Sequence, residues 1–285
     1  MGNIVIEPCI QDKVKRIIEI LKTTVDGDCA LALAGAHAKG MADKNSDIDI
    51  FLFTNKPKSF EERSKVIKKF SDAGTTPWIS DTFDNPWGGS MDFSFEGTPV
   101  EVVVRLIPQM DKRLNECLNG HFEIIPQTWT SNGYYTFTYL CELSFIIPIW
   151  DPNNLIENYQ KKIIPYPPKL KKSIIDRFFA RANTWINNFH YQSAIKRKDV
   201  LFTSPIVIHT VLDIIQIIFA LNEEYYTGDK KLEIALDKLS YCPKELLENI
   251  EFLLTTSYDT EQLQKQSIIL HNIIQNVKLK INECV

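Results

Sequence analysis

What the sequence has little of narrows its class. It has no basic surplus: 32 Lys+Arg stand against 36 Asp+Glu, a net charge of −4 and a pI of about 5.8. A protein that lives on a nucleic-acid backbone usually carries the opposite balance, so no nucleic-acid partner is expected. Cysteine is sparse, with six residues at positions 9, 29, 117, 141, 242 and 284. None are spaced as a zinc knuckle or redox pair, and they sit among apolar neighbours, so reduced thiols in a cytoplasmic protein are expected. The start MGNIVIEPCIQDK lacks a basic stretch followed by a long apolar run, which argues against a signal peptide. Ile6 stands where a myristoylation site wants Ser or Thr. Only residues 204–221, SPIVIHTVLDIIQIIFAL, approach membrane-like hydrophobicity. They include His209, Asp213 and Gln216 and are short for a span, so a central helix of a soluble bundle is expected and no membrane partner. Internal repeats and low-complexity tracts are missing as well.

What is present suffices for a large core. Hydrophobic residues make up 44% of the 285 and charged residues 24%, and a compact chain of this length buries roughly three quarters of its unfolded surface. Val14, Ile17, Ile18 and Leu21 recur at helical spacing. CALALAG (29–35) reads as a short strand ending at glycine, and IDIFLF (48–53) as a second strand. Ser59 and Glu62 have capping-box spacing ahead of EERSKVIKKF. MDFSFEG and PVEVVVRLI, separated by Gly97-Thr98, read as a β-hairpin. From about residue 134 the pattern turns helical. Pro165, Pro167 and Pro168 precede one helix, Ser204-Pro205 open the buried one, Pro243 opens another, and 259–281 is the last. The expected organisation is α+β, with an N-terminal domain over 1–148 and a helical domain over 149–285.

The chemistry concentrates in residues 35–53, GAHAKGMADKNSDIDIFLF. A glycine turn follows a strand, a second glycine comes five residues later, and Asp47 and Asp49 enter the next strand. Residues i and i+2 of a strand share a face, so the two carboxylates can converge on one cation. Carboxylate oxygens suit Mg²⁺, which takes its remaining ligands from water and substrate phosphates. The turn offers backbone N–H groups to those phosphates, making Gly35, Ala36, Lys39, Gly40 and Ser46 the nucleotide-side candidates. Glu101 interrupts an apolar strand and is a third acid, either as a metal ligand or as the base for an acceptor hydroxyl. This layout suits metal-assisted nucleotidyl transfer. Blander readings stand beside it. Asp47 and Asp49 also fit a strand-entry turn, and Glu101 a surface position or an ion pair with Arg105.

Residues 35–53 resemble the signature of the nucleotidyltransferase superfamily that includes DNA polymerase beta. There, Gly-Ser, a glycine-containing turn and Asp-x-Asp on the next strand recur. The Gly35-to-Asp47 spacing is similar to that of the antibiotic nucleotidyltransferases acting on aminoglycosides and lincosamides. The resemblance implies a mixed sheet with flanking helices, followed by a helical bundle that binds substrate and nucleotide. It implies a Mg²⁺-dependent transfer of a nucleoside monophosphate from ATP or another NTP to a small-molecule hydroxyl, with antibiotic resistance as the associated role. Asp47 and Asp49 would hold Mg²⁺, and Glu101 stands where the spectinomycin and streptomycin adenylyltransferases have a third carboxylate. TGDKKLEIALDKL (227–239) is similar to a lysine-bearing helix start there, which implies a triphosphate contact from Lys230 or Lys231. The family usually has Ser where this chain has Ala36, a lost donor worth ~1–3 kcal/mol against a charged oxygen. Nucleotidylation of a protein side chain and non-catalytic nucleotide binding are the alternatives. Oligomeric state is left open.

Other features are weaker. His37 in the turn is either a phosphate contact or an exposed loop residue, while His121, His190, His209 and His271 are too scattered for a metal site. Trp78, Trp87, Trp129 and Trp150 read first as core or rim. The loop TPWISDTFDNPWGG, with Asp81, Asp84 and the nearby Asp92, also suits a cationic acceptor. Lys196, Arg197 and Lys198 read as a solvated helix end.

Overall fold

In a computed structural model, residues 8–128, 130–226, 228, 232–255 and 259–284 are described. The chain opens with α1 (Pro8–Lys22), β1 (Cys29–Leu33), the single-turn helix α2 (Gly35–Ala38) and β2 (Ile48–Thr54). Next come α3 (Phe60–Phe70), β3 (Trp78–Ser80), β4 (Gly89–Phe95), β5 (Thr98–Leu106) and α4 (Ile107–Leu118). They are followed by β6 (Ile124–Gln127), β7 (Thr130–Tyr135), α5 (Thr138–Phe145), β8 (Ile147–Trp150) and α6 (Leu155–Ile163). The helical remainder is α7 (Pro168–Ile186), α8 (Phe189–Arg197), α9 (Val200–Leu221), α10 (Leu232–Leu236), α11 (Lys244–Leu254) and α12 (Thr260–Cys284). The chain is thus α+β, a mixed sheet with flanking helices followed by a helical region. Two compact units divide it. The first holds most residues up to Pro165, including β8 and α6, and the second is mainly Tyr166–Val285.

In the first unit six strands form a sheet in the order β3-β4-β5-β2-β1-β8. β2 and β5 run parallel, and the other neighbours antiparallel. Alternation sorts the faces. Leu31, Leu33, Ile48, Ile50, Leu52, Met91, Phe93, Val100, Val102 and Val104 point into one core, where Val14, Ile17, Ile18 and Leu21 of α1 and Ile67 of α3 meet them. Fully burying each such side chain stabilises by roughly 1.5–3 kcal/mol. The capping box on α3 is present, with Ser59 Oγ accepting from Glu62 N–H and the Glu62 carboxylate accepting from Ser59 N–H. The hairpin turns one residue earlier than its sequence suggests. Phe95 pairs with Thr98, so Glu96 and Gly97 make the turn, both at positive φ (49° and 73°). A two-residue turn of that hand matches the twist of its strands, and Thr98 is free to open β5.

The opposite face is covered at one end. Tyr159 of α6 packs edge-on against Phe53 (6.4 Å between centroids) and donates to Asp111 at 2.9 Å. Arg105, buried, donates two hydrogen bonds to Glu142 of α5 at 2.9 and 2.7 Å, so its partner is Glu142 rather than an acid of its own strand.

In the second unit α9 is the buried axis. It begins at Val200 rather than at Ser204-Pro205. Asp199 caps it by accepting from Phe202 N–H at 3.3 Å. Pro205 sits in the second turn. The carbonyl it leaves without a donor is that of Leu201, which is 88% exposed, so water can serve it. α9 is long and apolar enough to span a membrane, but 72% of its apolar window is buried within the protein. Asp213 on α9 pairs with Arg181 of α7 at 2.7 Å. Gln266 of α12 donates to Phe252, Leu253 and Thr255 carbonyls (3.0–3.2 Å), closing the end of α11. Lys196 and Arg197 end α8, and Lys198 caps it in the left-handed region.

Candidate active site

The carboxylates meet at the N-terminal end of β2. Asp49 is the second residue of β2, and the parallel register sets Glu101 directly beside it on β5. Asp47 arrives from the turn Asp43–Ser46. That turn is closed by Ser46 N–H to the Asp43 carbonyl (3.0 Å), Asp43 N–H to Ser46 Oγ (2.8 Å) and Asn45 N–H to Asp43 Oδ1 (2.8 Å). Ser46 thus helps to hold the turn that delivers Asp47. One carboxylate oxygen from each of Asp47, Asp49 and Glu101 lies within 4.8 Å of the others. It is the one group of three or more His, Cys, Asp or Glu of this kind among the described residues.

Gly35 explains how Asp49 is held. After β1 the chain turns at Gly35 with φ +57°, in the left-handed region. A Cβ there would lie 1.6 Å from Asp49 Oδ2, so only glycine leaves room for that carboxylate. Ala34 N–H donates to the Asp49 carbonyl at 2.8 Å, tying the turn to β2. The turn then closes on itself through Lys39 N–H to Gly35 O (3.2 Å) and Met41 N–H to Ala36 O (2.9 Å). Gly40, also at positive φ, has open space around it. These features fit a divalent cation. The donors are hard carboxylate oxygens within reach of one centre, and a cradle beside Asp49 is kept free of side chain.

The other candidates separate. Lys39 places its ammonium over the Phe145 ring at 4.3 Å. His37 Nε2 is buried with no hydrogen-bond partner among the described residues. Lys230, Lys231 and Trp129 lie outside the described residues. In the acidic loop Asp81 forms an ion pair with the buried Arg63, and Trp87 packs edge-on against Tyr134 at 4.9 Å. Lys22 stands 3.9 Å over Trp150. Cys29, Cys117, Cys141 and Cys242 are free thiols, with burial pushing Cys117 and Cys141 up to about 12.

Sequence reasoning passed over the place of Asp92. It lies on β4, half-buried, and its Oδ1 accepts from Val102 N–H at 3.3 Å. Burial, with a smaller contribution from the charge of Glu101, pushes its carboxyl up to about 6. The available signal was the alternation of MDFSFEG, which puts Asp92 on the face opposite Met91 and Phe93.

Residues 14–78 match the family model described as nucleotidyltransferase domain. The match runs from α1 to the start of β3, so it contains Asp47 and Asp49 and stops short of Glu101. No curated protein matches the chain. A solved structure described as a nucleotidyltransferase-like protein from Exiguobacterium sibiricum 255-15 is similar at 11% identity. The similarity covers 95% of this chain and 76% of that one, with a TM-score of 0.47.

Proposed function

Because residues 14–78 match a nucleotidyltransferase domain, we propose that the chain transfers a nucleoside monophosphate from an NTP to a hydroxyl of a small acceptor. The observation that carries this is the convergence of Asp47, Asp49 and Glu101 where β2 begins beside β5. In this reading Asp47 and Asp49 hold Mg²⁺, with Glu101 beside them. The bound ion supplies charge neutralisation for the triphosphate and the leaving pyrophosphate. The chain's own part is positioning and proton transfer. Gly35 and Ala36 offer backbone N–H groups to the phosphates. Glu101 accepts the proton of the acceptor hydroxyl as its oxygen attacks the α-phosphorus, and the bond from that phosphorus to the bridging oxygen breaks. ATP is the first nucleotide to test, and Lys230 or Lys231 the candidate for a further triphosphate contact. A cytoplasmic setting fits the reduced cysteines. The sequence resemblance supports an antibiotic of the aminoglycoside type as acceptor.

Pyrophosphate release across a panel of NTPs and acceptors, with Mg²⁺, tests this reading. Asp47→Asn and Asp49→Asn are expected to remove Mg²⁺-dependent NTP binding and turnover together. Unchanged binding and transfer in both variants would overturn the proposal.

A further inference from the structure

The chain is acidic as a whole, but one stretch of its second unit is not. From residue 177 to residue 213, Arg177, Arg181, Lys196, Arg197 and Lys198 stand against Asp199 and Asp213 alone, a surplus of three positive charges in a chain of net −4. Both acids are engaged. Asp213 is the partner of Arg181, and Asp199 caps α9 on Phe202 N–H. Lys196, Arg197 and Lys198 are exposed, and Arg197 donates to a neutral group, Ser193 Oγ, at 3.0 Å.

Apolar side chains gather at the same place. Trp185 near the end of α7 packs edge-on against Phe202 near the start of α9, with 6.2 Å between ring centroids. α8 spans the interval between them, with Phe189 at its start and the basic run at its end. Leu201, Pro205 and Ile208 follow at i, i+4 and i+7 on α9, so they share one face, and all three are exposed. Leu201 leaves 88% of its surface to solvent and Phe189 78%. Clustered apolar side chains left exposed and rimmed by charge mark an interaction site.

Charge and exposure together choose the occupant. A second copy would bring the same positive surplus, and the two would repel. Leu201 and Ile208 have no π-face on which a nucleic-acid base could stack. A groove for a peptide would part-cover the residues lining it, whereas Leu201 and Phe189 stand almost free. Side chains that protrude this far suit a partner without a preformed pocket. An anionic lipid bilayer is such a partner, since its acyl boundary takes apolar side chains while its headgroups meet Lys and Arg.

We propose that the corner made by the end of α7, α8 and the start of α9 docks the protein peripherally on an anionic lipid bilayer. Phe189 and Leu201 insert, and Lys196, Arg197 and Lys198 meet the headgroups. The attachment is to the surface, and the rest of α9 remains the buried axis of its unit. The expectation of no membrane partner, which concerned a span, is revised accordingly. The docking goes beyond the transfer reading and does not depend on it, because none of Asp47, Asp49 and Glu101 takes part.

The test is co-sedimentation of the full chain with vesicles of phosphatidylcholine and phosphatidylserine, beside vesicles of phosphatidylcholine alone. Binding to the mixed vesicles is expected to be at least about tenfold tighter and to weaken as salt rises. Lys196→Gln, Arg197→Gln and Lys198→Gln together are expected to weaken it about a hundredfold, at roughly fivefold per charge. Phe189→Ser and Leu201→Ser are each expected to weaken it about tenfold, with melting temperatures unchanged at these exposed positions. Ile268→Ser, at an exposed position on α12, is expected to bind like the unaltered chain. No sedimentation with the mixed vesicles, equal binding to the neutral ones, or an equal loss in Ile268→Ser overturns the inference. Dimerisation without vesicles that Leu201→Ser abolishes also overturns it, by giving the face to a second copy.

Discussion

Replacing Gly35 by alanine isolates the link between the glycine turn and the metal-binding carboxylate. The added Cβ would stand 1.6 Å from Asp49 Oδ2, 2.4 Å from its Cγ and 3.0 Å from its Cβ. Backbone retreat is blocked on both sides. Asp49 sits in β2 between β1 and β5, and its carbonyl accepts from Ala34 N–H at 2.8 Å. The carboxylate must therefore rotate away, which takes it out of the group with Asp47 and Glu101. Alanine in the left-handed region costs about 1–2 kcal/mol, and a side chain forced off its rotamer about 0.5–1.5 more. A total near 2–3 kcal/mol corresponds to a fall of roughly 4–12 °C in Tm for a unit of this size. Gly74→Ala is the matched control, since Gly74 also has positive φ (83°) but nothing within 4 Å of an added Cβ. It carries the backbone penalty alone. Thermal melts with and without Mg²⁺·ATP read both effects. Ligand at a hundredfold its Kd stabilises by about 2.7 kcal/mol, and that gain is expected in Gly74→Ala and absent in Gly35→Ala. An equal Mg²⁺·ATP response in the two variants would refute the argument that Gly35 exists to house the Asp49 carboxylate.

Three further outcomes are expected. Asp92→Asn stabilises the metal-free protein near neutral pH, because burial holds the Asp92 carboxyl up at about 6 in the fold. Sign and window follow: ionised Asp92 disfavours the fold increasingly as pH rises from about 4 to about 6, so the variant's gain, about 1 kcal/mol after discounting for solvent, vanishes below about pH 4 in denaturant titrations. Glu142→Ala strands the buried Arg105 and costs about 3–5 kcal/mol by urea unfolding, whereas removing both partners in Glu142→Leu with Arg105→Met recovers much of the loss. Ala36→Ser restores a hydroxyl at the start of α2 and tightens ATP binding by about tenfold in calorimetry, the lower part of the ~1–3 kcal/mol range for a bond to a charged oxygen.

The motif around Asp47 and Asp49 was legible because its signals are local. A glycine that no other residue can replace, two carboxylates at strand spacing and a β-rich run all lie within 19 residues. The Ser59–Glu62 cap was legible for the same reason, since its partners are three residues apart. The start of α9 was misplaced because Pro205 outweighed Asp199 in the pattern, although a capping carboxylate sets the first turn and an exposed carbonyl tolerates the proline. The hairpin shifted by one residue because Glu96, an ordinary-looking residue, adopts positive φ to match the strand twist. Arg105 pairs with Glu142, 37 residues away, which no spacing rule along one strand can anticipate.

By itself the sequence determined that a strand, a glycine turn and a second strand bearing Asp47 and Asp49 follow one another, since those choices depend on neighbours within a few residues. It also determined the change from mixed to helical structure along the chain. Tertiary structure alone decided which strands are adjacent. The parallel pairing of β2 with β5 puts Glu101 beside Asp49. Strand order and register depend on burying one face of the whole sheet against α1 and α3 at once. That is a property of all the strands together rather than of any segment, and it brought together acids that stand as far apart in the chain as Asp49 and Glu101.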